Sequence, residues 1–355
     1  MKEVYFEQFN KVYNMLEDQE SKNIFINKVN YILTEERKYI DNIIMNYLPE
    51  FKDCGTEEDL YREIKKRFPC AQIIMYGAGE NARRSQMFWK DVKEFIGYCD
   101  RDLDKQVSGM YGYSVISTEK LMEISIDKDL VVVISTSKYE NEAKQTLLDM
   151  GIKEERIFYL QKYLINYSND IYFDEDIIKF EKDEVFIDAG SMNLSTSIEM
   201  KKRCNWLKKS YAFEPDSKNY NKCIEIKQEK NLDYVELLPV GLWNKKATLK
   251  FSETGGTGSS ITETGNTMVK VDTLDNSVSG MVSFIKMDIE GAELEALQGA
   301  ENIIRKYKPK LAISIYHNSQ DLTDIPLYIK NLNEEYKLYI RHYSTGEFDT
   351  VLYAV

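Results

Sequence analysis

A chain of 355 residues with 43% hydrophobic content exceeds one ordinary core, so two domains plus an extension are expected. Its net charge of −12 argues against a nucleic-acid substrate, since phosphate binding requires a basic surface, and its five scattered cysteines form no C-x-x-C pair for zinc or redox work. The longest apolar runs, such as 130–134, fall far short of the roughly 20 residues of a bilayer span, and Lys2, Glu3 and Glu7 stand where a signal peptide would be apolar. A soluble, cytoplasmic protein with free thiols is expected.

Residues 1–68 read as a helical segment, with Phe6, Phe9, Val12, Tyr13 and Leu16 spaced by threes and fours and Ile24, Phe25, Val29 and Ile32 continuing the pattern. Thr34-Glu35-Glu36-Arg37 resembles a helix start, with threonine as cap and acids in the first turn. The segment is expected to serve as a helical cap or as the arm of a homodimer.

From 69 to 165 the pattern alternates: strands at 71–76, 95–99, 131–135 and 157–160, helices at 80–89 and 140–150. Strands separated by helices imply parallel βαβ units, hence a small Rossmann-like domain. Met75-Tyr76-Gly77-Ala78-Gly79-Glu80 follows the first strand and opens a helix, and Asp100 ends the next strand where a ribose acceptor would stand. Gly77, Gly79 and Asp100 therefore suit a nucleotide or nucleotide-sugar, as in the N-terminal domains of bacterial sugar acyltransferases that the segment resembles. Glu80 would repel a pyrophosphate, so a retained fold without ligand is the competing reading.

A polar stretch at 161–184 leads to a second α/β unit, with strands at 185–189, 210–214, 234–239, 282–287 and 311–316, then an antiparallel pair at 336–343 and 349–354 around a Ser344-Thr345-Gly346 turn. Residues 254–265, rich in Gly, Ser and Thr, read as a mobile loop whose Ser259 and Ser260 either fold over a substrate or form an exposed turn.

Three strand ends of this unit carry acids: Asp188-Ala189-Gly190-Ser191, Glu214-Pro215-Asp216, and Lys286-Met287-Asp288-Ile289-Glu290-Gly291-Ala292-Glu293. Open α/β sheets bind ligands at these ends. Together with Leu297, Gly299 and Ala300, the last run is the most specific part of a pattern that resembles the FkbM-type family of S-adenosylmethionine-dependent methyltransferases, over about residues 183–355. The resemblance implies a class I methyltransferase sheet with a terminal antiparallel hairpin, preceded here by the smaller Rossmann-like domain and the helical segment.

It also implies S-adenosylmethionine as cofactor. Asp188, Ala189, Gly190, Ser191 and Asn193 would meet its amino-acid end, Glu214 and Pro215 its ribose, and Val240, Gly241 and Leu242 would flank the adenine unless they are simply core. Asn193 stands where relatives often have a second glycine. Asp288 would be shared between cofactor and chemistry. Glu290 and Glu293 stay open between catalysis and helix-start stabilisation, and Lys286, two residues before Asp288 on the same strand face, would ion-pair with an acid.

His317, at a strand end, is the preferred general base because its ordinary pKa lies near working pH, against the reading of a loop histidine; His342, in the hairpin, reads as structural. No metal is assigned, although Asp288, Glu290 and His317 have the chemistry of an open divalent site. The expected function is O-methylation of a hydroxyl on a sugar-containing or small-molecule acceptor. The alternative is a nucleotide-sugar or dinucleotide-binding protein, sensor or oxidoreductase, using the first α/β domain.

Overall fold

The computed structural model describes residues 2–252, 260, 261, 265 and 267–355, for residues 2–6, 127 and 260 by backbone alone. Ser259 lies outside the described residues, as do most of residues 254–265 and the side chain of Ser260. The chain divides into two compact units: Met1–Pro49 with Tyr167–Val355, and Glu50–Asn166.

The first unit opens with helices α1 (Lys2–Met15), α2 (Gln19–Thr34) and α3 (Lys38–Tyr47). The second, inserted in sequence, runs α4 (Glu57–Arg67), β1 (Gln72–Tyr76), α5 (Glu80–Trp89), β2 (Phe95–Cys99), α6 (Leu103–Ser108), β3 (Val115–Ile116), α7 (Thr118–Asp127), β4 (Leu130–Ile134), α8 (Glu140–Asp149) and β5 (Ile157–Tyr159). Its five strands are all parallel in the order β3-β2-β1-β4-β5. Apolar side chains fill both faces, one around Trp89, Phe95 and Val131, the other around Ile74, Val132 and Leu147, as βαβ crossovers require.

The first unit resumes with β6 (Glu184–Ala189), α9 (Ser195–Arg203), β7 (Leu207–Phe213), α10 (Ser217–Glu229), β8 (Val235–Leu238), β9 (Gly241–Leu242), β10 (Ala247–Ser252), β11 (Ser260–Ile261) and β12 (Thr267–Asp272). It closes with α11 (Leu274–Ser277), β13 (Phe284–Met287), α12 (Glu293–Gln298), α13 (Glu301–Tyr307), β14 (Lys310–Ser314), α14 (Asp321–Leu332), β15 (Leu338–His342) and β16 (Thr350–Ala354). Seven strands form the main sheet in the order β15-β16-β14-β13-β6-β7-β8, with β16 antiparallel to β14 and β15. The order reverses between β6 and β13, which is the switch point where open α/β sheets bind ligands. A second sheet, β11-β10-β12-β9, escaped the sequence reading because β10 and β12 each expose alternate residues and carry little core signal.

The packing departs from a single helical segment over 1–68. α4, held by a reciprocal capping box between Thr56 and Asp59, buries Leu60 and Ile64 in the core of the second unit. Helices α1–α3 belong to the unit of the seven-stranded sheet, whose edge strand α2 covers. Leu16 bridges to Leu338, the Ser21 hydroxyl accepts from the Ile340 amide at 2.9 Å, and Asp18 pairs with Arg341 at 2.6 Å. An exposed edge is a template for unwanted pairing, and this cover removes it. Thr34 also behaves differently from the expected cap: it ends α2, donating its hydroxyl to the Asn30 carbonyl at 2.8 Å, while Glu35 turns left-handed at φ 57°. Among the described residues, no helix is long and apolar enough to cross a membrane.

Candidate active site

At the switch point lies a cavity of about 410 Å³, walled by the carboxyl ends of β6, β7, β13 and β14 and by β9. Gly190 leaves β6 with φ +76°, and a Cβ there would overlap the Asp288 carbonyl oxygen and stand 3.2 Å from Ile289 Cγ2. Only glycine permits both the left-handed turn and this close passage of two strand ends. The turn continues through Met192 and Leu194 at φ 42° and 59°. It is held by Glu214, which accepts from the Met192 amide at 2.8 Å through Oε2 and from the Asp216 amide at 2.9 Å through Oε1. Burial pushes the Glu214 carboxyl up to about 7.

Beneath this turn Lys286 is almost wholly enclosed. Its ammonium donates to Asp188 Oδ1 at 3.2 Å, to the Ala189 carbonyl at 2.9 Å and to the Gly190 carbonyl at 2.8 Å. Asp188 also accepts from the Ser197 hydroxyl at 2.7 Å. Neither residue lines the cavity. The geometry thus gives Lys286 and Asp188 a supporting place under the loop: Lys286 pairs with Asp188 instead of with an acid of its own strand end.

On the opposite wall the chain leaves β13 through Glu290 at φ 56° and Gly291 at φ 94°. Glu293, with no exposed surface, accepts from the Ile289 amide at 2.8 Å and the Gly291 amide at 3.1 Å, so this buried carboxylate fixes the turn. Tyr316 donates to Asp288 Oδ1 at 2.9 Å. Burial works to raise the Asp288 carboxyl, but the charges of Lys286 and His317 hold it below the ordinary carboxylate range. Burial, with Asp288 and Glu293 nearby, pushes Glu290 up to about 7.

His317 sits among these acids with its side chain 10% exposed. Its Nδ1 lies 3.0 Å from Glu293 Oε1, and its Nε2 lies 3.6 Å from both Asp288 Oδ1 and Glu290 Oε2. Neither nitrogen meets hydrogen-bond geometry, so the association is one of charge. Burial alone would lower its pKa; the Glu293 carboxylate and the two other acids outweigh it and carry the ring up to about 9. His317 therefore holds a proton at neutral pH, which removes the reason for expecting it to act as a general base. His342 is the reverse case: buried, its Nδ1 2.9 Å from Thr350 Oγ1 and Nε2 3.0 Å from the Gly346 carbonyl, it is pushed down to about 3 by burial.

Of the other residues expected at the cofactor, Ala189, Gly190, Glu214, Pro215, Gly241 and Leu242 line the cavity. Ser191 is buried behind it, Val240 lies off its wall, and Asn193 accepts from the Ser195 amide at 3.1 Å, capping the turn into α9. Asn193 does not take the left-handed turn that a second glycine would serve; Met192 and Leu194 do. Met192, Asn219, Tyr316, Phe348 and Asp349 also line the cavity and were not anticipated. Tyr316 adjoins His317, and Phe348-Asp349 follow the Ser344-Thr345-Gly346 turn, so position beside recognised punctuation was the available signal.

In the second unit, the Gly77 loop lies where β1 meets β4, with φ +105° at Gly77. Asp100 spends Oδ2 on the Ala78 amide at 2.6 Å and Oδ1 on the Asp102 amide at 2.9 Å, so it braces the loop. Glu80 is paired with Arg83. The cluster is internally satisfied.

The main sheet and its switch-point cavity define a class I methyltransferase fold. Residues 187–337 match the model of the Methyltransferase FkbM domain, and residues 70–158 match the model described as C2185-like, N-terminal. The crystal structure of methyltransferase FkbM from Methylobacillus flagellatus KT is similar to the chain with TM-score 0.53 and 19% identity, over 90% of this chain and 98% of that one. An rRNA methylase from Streptococcus thermophilus is similar with TM-score 0.34 and 16% identity, over 49% of this chain and 86% of that one. No curated protein matches. Residues 187–337 thus match the FkbM-type methyltransferase domain, and the chain is a methyltransferase.

Proposed function

We propose that the enzyme uses S-adenosylmethionine and methylates a hydroxyl on a sugar-containing or small-molecule acceptor. The observation that carries this reading is Glu214 at the end of β7. Two backbone amides fix its carboxyl, which faces the cavity across from Asp288 and Glu290. A carboxylate so placed accepts hydrogen bonds from both hydroxyls of a ribose, as acidic residues do at this position in nucleotide-binding sheets. Gly190 and Met192 would then face the amino-acid end, and Pro215, Gly241 and Leu242 the adenine.

The far end of the cavity suits a polyhydroxylated acceptor, with Asp288, Glu290 and Asp349 to receive hydroxyl hydrogen bonds and Tyr316 and Phe348 as apolar faces. In the transfer the sulfonium–methyl bond breaks as the carbon–oxygen bond forms, so the enzyme aligns the hydroxyl and receives its proton. The carboxylates Asp288 and Glu290 are the groups for that proton, because His317 already carries one.

Thermal shift tests the reading. S-adenosylhomocysteine at a hundred times its Kd stabilises a binding protein by about 2.7 kcal/mol. Stabilisation by NADH with no response to S-adenosylhomocysteine would overturn it.

A further inference from the structure

We propose that Asp288, Glu290 and His317 Nε2 form a binding site for one divalent transition-metal ion, with Glu293 as the carboxylate that orients the histidine. Among the described residues, Asp288, Glu293 and His317 make the one grouping of metal-type side chains whose ligand atoms lie within 4.8 Å of one another, and Glu290 joins it through Oε2, 3.6 Å from His317 Nε2. Proximity of acids alone would prove little. Two further features point to an ion.

The first is His317 itself. Its side chain is nine-tenths buried, it lines the cavity, and both ring nitrogens lack a hydrogen-bond partner. A buried polar atom left unmade is costly, so such an atom marks a missing partner. The two nitrogens also differ in their surroundings. Nδ1 faces the fully buried Glu293 at 3.0 Å, while Nε2 faces the cavity side. A carboxylate behind one nitrogen and open carboxylates before the other is the arrangement of metal-bound histidines, in which the rear acid sets the tautomer. Glu293 is suited to the rear position, since two backbone amides already fix its oxygens and it has no cavity surface.

The second feature is spacing. Nε2 stands 3.6 Å from Asp288 Oδ1 and 3.6 Å from Glu290 Oε2. These separations are too long for hydrogen bonds. They match the edge of a coordination shell, because two ligands bonded at about 2.1–2.2 Å with about 110–120° between them lie roughly 3.5–3.8 Å apart. Tyr316 occupies one side of Asp288 Oδ1 and holds that carboxylate in place. Two carboxylates and one imidazole at these four-coordinate separations, with the cavity left for water or acceptor oxygens, favour a divalent transition-metal ion over magnesium or calcium, which prefer oxygen ligands throughout, and Mn²⁺ is the spectroscopic probe of such a site. An ion bound at Nε2 would take the place of the ring proton that the surrounding acids hold there, and the chemistry it would supply is a lowered pKa for an oxygen that it contacts.

Titration of the full chain, stripped with EDTA, with Mn²⁺ alone tests the site by electron paramagnetic resonance, and no methyl acceptor is needed. The expected result is one Mn²⁺ bound with Kd below about 100 μM and a nitrogen coupling from one imidazole. Glu290→Gln and His317→Gln should each weaken binding at least tenfold, and Glu293→Gln by roughly 10–100-fold. Glu214→Gln, across the cavity, should leave Mn²⁺ affinity unchanged. Kd above about 1 mM, absence of the nitrogen coupling, or equal affinity in folded Glu290→Gln protein would overturn the proposal. A chain that binds S-adenosylhomocysteine but no Mn²⁺ would lose the metal site and keep the methyltransferase reading.

Discussion

Replacement of Lys286 by methionine removes three bonds at one stroke. An ammonium has three donors, and here they go to Asp188, the Ala189 carbonyl and the Gly190 carbonyl at 3.2, 2.9 and 2.8 Å. Methionine fills much of the same volume, so the loss is electrostatic: Asp188, with no exposed surface, keeps only the Ser197 hydroxyl, and two loop carbonyls lose their partner. Breaking one side of a buried pair costs about 3–5 kcal/mol. For a domain of this size that lowers Tm by about 6–20 °C. Because the freed carbonyls belong to the turn that shapes the cavity, S-adenosylhomocysteine affinity should fall by at least tenfold as well. Asp188→Asn added to Lys286→Met removes the stranded charge and should return part of the stability without restoring affinity. Urea denaturation of the four proteins of this cycle, with calorimetric titration of S-adenosylhomocysteine, measures both quantities. A single Lys286→Met variant within 1 kcal/mol of the parent would refute the reasoning, as would a double variant less stable than the sum of the single losses.

Gly190→Ala should be as damaging, since a left-handed alanine costs about 1–2 kcal/mol before its methyl meets the Asp288 carbonyl; retained cofactor affinity, measured by the same titration, would contradict this. Glu214 has a folded pKa of about 7 against an ordinary 4.5, so its contribution to stability is present below about pH 4.5 and is lost as pH rises through 7. Ribose binding has the opposite demand, for the ionised form, so S-adenosylhomocysteine affinity should rise with pH up to about 7 and then level, and Glu214→Gln should bind weakly with that dependence gone. His342 is depressed to about 3 from 6.5, so the unfolded chain takes up its proton first and stability falls as pH drops from 6.5 toward 3. Between pH 6.5 and 5 the loss is about 1–2 kcal/mol, and urea midpoints for His342→Gln should lack that component.

Strands β1, β2, β6, β7 and β13 were legible because each is short, largely apolar and followed by glycine or an acid. β13 was read within two residues, and Asp188, Glu214 and Asp288 were placed at their strand ends. What the sequence hid is the depth of those side chains. Lys286 and Asp288 alternate correctly on β13, yet only the pairing of β13 with β6 puts Lys286 opposite Asp188. His317 was read through its free pKa, which three acids from another strand end then displaced. Helices α1 and α2 were visible as amphipathic periods, but that α2 covers β15, more than 300 residues later in sequence, depends on the edge that the terminal hairpin creates.

The two walls of the cavity are built by the same device. On one side Met192 and Leu194 are left-handed, on the other Glu290 and Gly291 are, and three of these four carry side chains that resist that conformation. Each turn is pinned by a buried glutamate that accepts amides from it: Glu214 from Met192, and Glu293 from Ile289 and Gly291. Strain at a cost of about 1–3 kcal/mol per residue persists only where the surroundings over-determine it, and here the over-determining groups are carboxylates whose other lone pairs face a ligand position or His317. The same acids that hold the backbone open therefore set the charge of the site. Substituting either glutamate would relax a turn and alter recognition together, which ties the fold of this switch point to its chemistry.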